Sequence, residues 1–311
     1  MGKKCISAIL LAALSLALLA GGMELCREPE PLLIREAGSG LWQVSPDGGL
    51  TFLTKAYRSV VVDGVAYLLD NEKGTWCVLA DGEVIVQGEP SEETEQTLYQ
   101  VACPFAVIGS MTELDGWLYF LLSMEDNTDC LCRVRTDGTG FEMFPEYDVF
   151  SYELLTVEGR VVLRVRTEKG VCPAAFDPET KTFAVLSETP ANISNRYYVD
   201  GDQVWWTYDD QETATAVQCS VPVTGGETET LDLEIASFVG GGNLLIGSEG
   251  ELQVMDIRSG KTETYDLPFE DFPEVVTAGT WGAVIGEEHT FGWNYWLLDY
   301  DTGAWTQLAL E

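Results

Sequence analysis

Carboxylates dominate the chemistry this sequence can offer. Its 311 residues carry 51 Asp and Glu against 17 Lys and Arg, with one histidine, for a formal charge of −34. The acidic groups worth following are Asp126 and Asp129, Asp209 and Asp210, and Glu287 and Glu288, the last pair close to Trp293 and Tyr295. Clustered carboxylates attract Ca²⁺ or a basic protein segment, and an aromatic ring nearby gives a partner something to pack on. Two carboxylates would also serve a glycosidase. Among 51 acidic residues such pairs arise by chance, so their presence does not decide for one.

Residue types exclude most other chemistry. A metal site built on histidine is out, because His289 is the only one. A Ser-His-Asp triad would have to use His289 too, and no nucleophile-elbow sequence accompanies it. No Cys-x-x-Cys pair offers a zinc framework, and no Gly-rich phosphate loop joins a strand to a helix. No basic stripe exists to neutralise phosphates, so nucleic acid is not a partner. Anionic membrane surfaces would repel the chain. The expected cofactor set is therefore none, with Ca²⁺ the one ion left open.

The elements that must position these residues show in the turns. Hairpin signals stand at Asp63-Gly64, Asp115-Gly116, Glu158-Gly159, Asp200-Gly201, Gly241-Gly242 and Trp281-Gly282, roughly 40 to 50 residues apart. A second turn follows each: Asp81-Gly82, Asp137-Gly138, Pro178-Glu179, Gly225-Gly226, Ser259-Gly260 and Thr302-Gly303. Two hairpins per unit at a period near forty describe a four-stranded blade repeated around an axis. Strands such as Trp117–Leu121 and Tyr295–Leu298 are rich in aromatic and aliphatic residues, and Asp-Gly suits the tight turns between them. The expected fold is all-β, a β-propeller over residues 37–311. Six full units follow residues 41–54, which give two strands, with Leu32–Arg35 available as a third. Seven blades with the first one short are favoured over six. Residues 89–103 lengthen the first interval, and Ser91 could cap a short helix there.

In such a ring the two turns of each unit lie on one face. The links between second and third strands emerge on the other, together with the blade-to-blade connections. The candidate residues Asp126, Asp129, Asp209, Asp210, Glu287, Glu288, Trp293 and Tyr295 all fall at or near that loop face, and so do Glu168 and Glu188. The expectation is a predominantly negative face with Trp293 and Tyr295 near its rim.

Residues 1–22 read as a signal peptide: Lys3 and Lys4, an apolar run from Ile6 to Ala20, then Gly21-Gly22. The apolar stretch approaches the about 20 residues that span a bilayer, so a retained anchor is the alternative. Residues 23–36 read as a linker. Cys26 invites a lipid anchor, although Met23-Glu24-Leu25 before it are not the small residues such a site wants. The cysteines at equivalent positions, Cys77, Cys132, Cys172 and Cys219, should be small buried apolar residues. They recur on neighbouring sheets about 10 Å apart, too far for a disulfide. Cys130 and Cys132 share one strand face, and a Cys26–Cys103 pairing stays open. Arg133, Arg135, Arg164 and Arg166 alternate with apolar residues and are expected at solvent-exposed blade edges.

One repeat carries a resemblance. Asp115-Gly116-Trp117-Leu118-Tyr119-Phe120, followed by Leu131-Cys132-Arg133-Val134-Arg135-Thr136-Asp137-Gly138, resembles the bacterial extracellular propellers related to the low-density-lipoprotein-receptor-related propeller. The Tyr-Trp-Thr-Asp signature of the receptors is absent, so the resemblance implies fold and export, not receptor ligands. Ser45–Phe52 is similar to the Asp box of sialidases and Leu298–Trp305 to a kelch hairpin; both pieces encode a turn.

The sequence thus describes an exported, monomeric, non-catalytic propeller of the extracellular space or cell envelope. Its N-terminal segment is its only membrane contact, and its acidic face serves a protein, cation or glycan partner. Two alternatives stand: a carbohydrate-active propeller enzyme, and a scaffold for envelope assembly that recruits a strand at an open blade edge.

Overall fold

The computed structural model describes residues 32–36, 40–54, 59–72, 75–88, 100–101, 111–123, 129–151, 154–190, 197–210, 215–233, 238–248, 250–269, 274–289 and 292–309. The signal segment, most of the insertion at 89–103, Cys26, Cys103 and Asp126 lie outside them. Every described element is a strand, and no described helix is long and apolar enough to cross a membrane.

Seven antiparallel blades follow one another. The first holds β1 (Leu32–Glu36), β2 (Gly40–Val44) and β3 (Leu50–Thr54). The second holds β4 (Ser59–Val62), β5 (Val65–Glu72), β6 (Thr75–Ala80) and β7 (Glu83–Gln87). In the third, β8 (Gln100–Val101) and β9 (Met111–Leu114) both pair with β10 (Trp117–Ser123), then β11 (Asp129–Arg135) and β12 (Glu142–Val149) complete it. The fourth is β13 (Leu155–Val157), β14 (Arg160–Thr167), β15 (Gly170–Asp177) and β16 (Thr182–Val185). The fifth is β17 (Tyr198–Asp200), β18 (Gln203–Asp210), β19 (Thr215–Pro222) and β20 (Glu229–Leu233). The sixth is β21 (Phe238–Gly240), β22 (Asn243–Ser248), β23 (Glu251–Asp256) and β24 (Thr262–Asp266). The seventh is β25 (Glu274–Ala278), β26 (Gly282–His289), β27 (Gly292–Asp299) and β28 (Trp305–Leu308). This is the expected seven-bladed propeller with a short first blade. β1 occupies the end of the stretch expected to be linker.

The turns explain the regularity. Asp63, Asp81, Asp115 and Glu158 adopt left-handed φ of 45 to 51°, each followed by a glycine also at positive φ. That geometry matches the right-handed twist of the strands it joins, and only glycine, with Asn and Asp, enters it readily. The last inner turn is placed slightly differently from the sequence signal: Gly279 N–H bonds the Gly282 carbonyl, so Thr280 and Trp281 form the corner and Gly282 begins β26.

The core lies between blades. Strand alternation sends Leu118, Phe120 and Leu122 toward the second blade, where they meet Tyr67, Trp76 and Val78. Tyr119 and Leu121 on the same strand point the other way, into Leu163, Val165 and Phe176 of the fourth. Trp206, fully buried, fills the seam between the fourth and fifth blades. Each such side chain contributes roughly 1.5–3 kcal/mol by leaving water.

The first blade packs on the last: Leu32, Ile34 and Val44 meet Val284, Tyr295, Leu297 and Leu308. Its position identifies its strands. The glycine of an outer turn abuts the outermost strand of the preceding blade, as Gly138 does Ile85 and Gly303 does Tyr265. Gly48 abuts Thr306 of β28 in the same way, while Leu32 lies against the inner turn at Gly279. So β1, β2 and β3 stand in the second, third and fourth strand places. Among the described residues, the innermost place is the one missing.

Candidate functional site

The carboxylates of the turn face are built into the turns themselves. On the turn face the acidic side chains are part of the backbone architecture. Asp137 accepts from Thr139 N–H (2.9 Å) and Oγ1 (2.6 Å), and Asp177 from the N–H groups of Glu179 (2.9 Å) and Thr180 (3.1 Å). Asp256 accepts from Ser259 N–H at 2.6 Å, Asp299 from Thr302 N–H at 2.9 Å and Asp47 from Gly49 N–H at 3.2 Å. Asp81 accepts from Ala66 N–H across its hairpin, and Glu113 from Gly116 N–H. Asp200 reaches the next blade and accepts from Gly242 N–H at 2.8 Å. Hydrogen bonding to the charged form favours it. The Thr139 hydroxyl holds Asp137 below the usual carboxylate pKa, the Thr180 amide holds Asp177, the Ser259 side chain Asp256, and the Ser45 side chain Asp47.

On the loop face the candidate residues stand at strand ends. Asp209 and Asp210 close β18 opposite Ala216 and Thr215 of β19. Asp129 opens β11 opposite Ser123 and is half-buried. Glu288 pairs with Trp293 and Glu287 with Asn294 at the end of the β26–β27 hairpin. Glu287 accepts from Asn294 Nδ2 (3.0 Å) and Trp296 Nε1 (3.4 Å), which fixes its direction. Trp293 is 37% exposed, and its ring covers Gly286. Tyr295 does not reach the rim. It is 6% exposed and belongs to the seam between the seventh and first blades. It shares a strand face with Trp293 but sits two residues further in, where the neighbouring sheet covers it. Among the described residues, no three Asp, Glu, His or Cys side chains converge on a point that could hold a metal ion.

Two of the arginines are not at exposed edges. Arg133 and Arg164 are 5% and 2% exposed. They lie on β11 and β14, interior strands covered on both faces, whereas Arg135 and Arg166 at the strand ends are exposed. Arg133 is satisfied by Glu142, the Tyr119 hydroxyl and the Pro178 carbonyl, with its guanidinium 4.2 Å from the Trp117 ring. Arg164 packs 5.2 Å from the ring of Tyr197. Neither is presented to a substrate carboxylate. Cys77, Cys130, Cys132, Cys172 and Cys219 are all buried and unbridged.

One feature escaped the sequence. Between the fourth and fifth blades lies a cleft of about 800 Å³. The hairpin tip Thr167–Gly170, the chain after β16 and the loop before β20 build it. No one repeat contains it, which is why no motif announces it.

No protein-family model and no curated protein sequence matches this chain. Solved structures do. A puromycin-hydrolysing peptidase of Mycobacterium tuberculosis aligns with TM-score 0.54 and 11% identity over 91% of this chain and 54% of that one. Dipeptidyl peptidase 4 of Porphyromonas gingivalis aligns with TM-score 0.55 and 8% identity over 86% and 48%. A chain of a nidogen/laminin complex gives TM-score 0.48 and 10% identity over 89% and 92%. This chain spans about half the length of the two peptidases. At such identities the likeness is one of fold, and the class is the β-propeller.

Proposed function

We propose that this chain is an exported, non-catalytic interaction module that presents its carboxylate-rich loop face to a protein partner. The observation that carries the reading is the placing of Glu287 and Glu288 opposite Asn294 and the exposed Trp293 at the end of the β26–β27 hairpin. Turn-face carboxylates are held by neighbouring N–H and hydroxyl groups, as at Asp137, Asp177 and Asp256. On the loop face, Asp209 and Asp210 close β18 of the fifth blade, and Glu288 stands opposite the exposed Trp293 at the end of the β26–β27 hairpin of the seventh. A negative field steers basic partners in, and a half-exposed Trp is the kind of side chain that anchors an interface. The leader at residues 1–22 supports placement outside the cytoplasm. The repeat at 115–140 supports kinship with the bacterial extracellular propellers it resembles. No cofactor enters the reading.

Photo-crosslinking tests it. A benzoylphenylalanine in place of Trp293 should capture a discrete partner in the native envelope, and the same group at Thr302 on the turn face should not. Equal capture from both positions, or from neither, overturns the reading.

A further inference from the structure

The cleft between the fourth and fifth blades runs from the loop-face hairpin tip Thr167–Gly170 to the Gly225-Gly226 turn of the fifth blade, and it has the makings of a defined site. Its volume of about 800 Å³ falls within the roughly 300–1,000 Å³ typical of ligand pockets. Its lining is mixed. The 42%-exposed Val185 gives the apolar surface, with Leu186 and Cys172 buried behind it. Thr167, Ser187, Thr189 and Thr228 give hydroxyls, and Ser187 and Thr228 meet across the two blades at 2.7 Å. Hydroxyls donate and accept, so they can follow a peptide backbone or a charged tip.

Charge and topology choose the occupant. Glu168 and Glu188 stand in the cleft with one cation, Lys169, whose ammonium pairs with Glu188. Both partners are exposed, and a pair of that kind is worth at most about 1 kcal/mol. An incoming cation can therefore displace Lys169. β16 runs into the cleft, pairs only with β15 and leaves its outer edge unpaired among the described residues. Its sequence, Thr-Phe-Ala-Val, bears no charge, as is true of β3 and β28, whereas the outermost strands β7, β12, β20 and β24 carry Asp or Glu. Of the three uncharged edges, that of β16 is the one that runs into the cleft. An uncharged open edge accepts an extended strand, and acidic side chains along an edge discourage one.

We propose that this cleft is a peptide-binding site: it receives a basic side chain of an extended protein segment whose backbone lies along the open edge of β16. The proposal rests on the interaction-module reading and gives it a site that starts at the loop-face hairpin tip carrying Glu168. Lys169 holds the place that the partner's cation takes.

The experiment is fluorescence anisotropy with a labelled peptide alternating lysine and valine, about eight residues long, which at ~3.3 Å per residue spans strand and cleft. Thr228→Trp, which fills the cleft, should weaken binding at least ~10-fold. Val185→Lys, at an exposed position that leaves folding intact, should weaken it more than Val84→Lys on the outer strand of the second blade. Lys169→Met should strengthen binding about 3-fold, and the equal charge change Lys261→Met should not. Undiminished binding in both cleft variants with weakening by Glu287→Gln overturns the cleft and leaves the acidic face standing. Equal effects of Val185→Lys and Val84→Lys mean diffuse attraction and also overturn it. No saturable binding to the unaltered protein overturns both.

Discussion

Arg133 holds one oxygen of Glu142, Oε2, with two converging hydrogen bonds, Nε at 3.0 Å and Nη2 at 2.8 Å. Its remaining nitrogen donates to the Tyr119 hydroxyl and to the carbonyl of Pro178 in the next blade. One buried cation therefore joins the third blade to the turn of the fourth. A planar fork of donors suits this geometry, and a lysine offers only a point charge. Arg133→Met leaves the part-exposed Glu142 with Lys181 alone and should cost about 1–3 kcal/mol, read as a lower urea midpoint. Arg133→Lys should recover only part of the loss.

Acid should destabilise the fold. Burial alone would raise the Glu142 pKa, but hydrogen bonds from Lys181 and Arg133 outweigh it and hold the group below its ordinary 4.5. Asp137, Asp177 and Asp256 are held below 3.8 by their turns. A depressed folded-state pKa means that the unfolded chain takes up protons first as pH falls. The stability is present above the unfolded values and drains away as pH passes down through the folded ones. The melting temperature should therefore drop below about pH 4.5. Acidification also relieves repulsion among the excess carboxylates, so the drop should be clearest in high salt, where that repulsion is already screened. Asp137→Asn should flatten the fall, and a melting temperature that rises on acidification would contradict the account.

The thiols should be silent in the native state. Burial pushes Cys219 up to about 11 and Cys132 well above the usual thiol value. Cys130 is held lower by the Cys132 thiol, yet it is just as inaccessible. Thiolate character and access together govern reactivity. A thiol reagent followed by peptide mass mapping should leave Cys77, Cys130, Cys132, Cys172 and Cys219 unlabelled until the protein is unfolded.

The Asp200 carboxylate, bound to Gly242 N–H, should act as a tie between the fifth and sixth blades. Asp200→Ala leaves that partly buried amide without its acceptor and should cost about 1–3 kcal/mol. Asp200→Asn keeps an acceptor and should cost less. Gly241→Ala should be worse than either, because its Cβ would fall 2.0 Å from the Gly279 carbonyl carbon. Chemical denaturation of the three variants gives the order.

The blades were legible because their turns demand particular residues. Asp63-Gly64 and Asp115-Gly116 occupy backbone space that few other pairs enter, so type reports conformation. Burial was less legible. Arg133 and Arg164 read like any strand arginine until the strand's place in its blade is known. Tyr295 and Trp293 differ in exposure only because a neighbouring sheet ends between them. The cleft was invisible, since Thr167–Gly170 and Thr228 become neighbours only when two blades stack. Local rules set the repeat; contacts between repeats set the site.

The first blade carries a consequence for how the molecule is made. Leu32, Ile34 and Val44 find their packing partners at Val284, Tyr295, Leu297 and Leu308, some 250 residues downstream. A chain emerging from its N-terminus must keep that apolar strip waiting until the final hairpin has left the ribosome. The earliest-made sheet is then the last to be sealed. Premature stops anywhere after the sixth blade should yield a sticky, protease-sensitive product instead of a shorter ring.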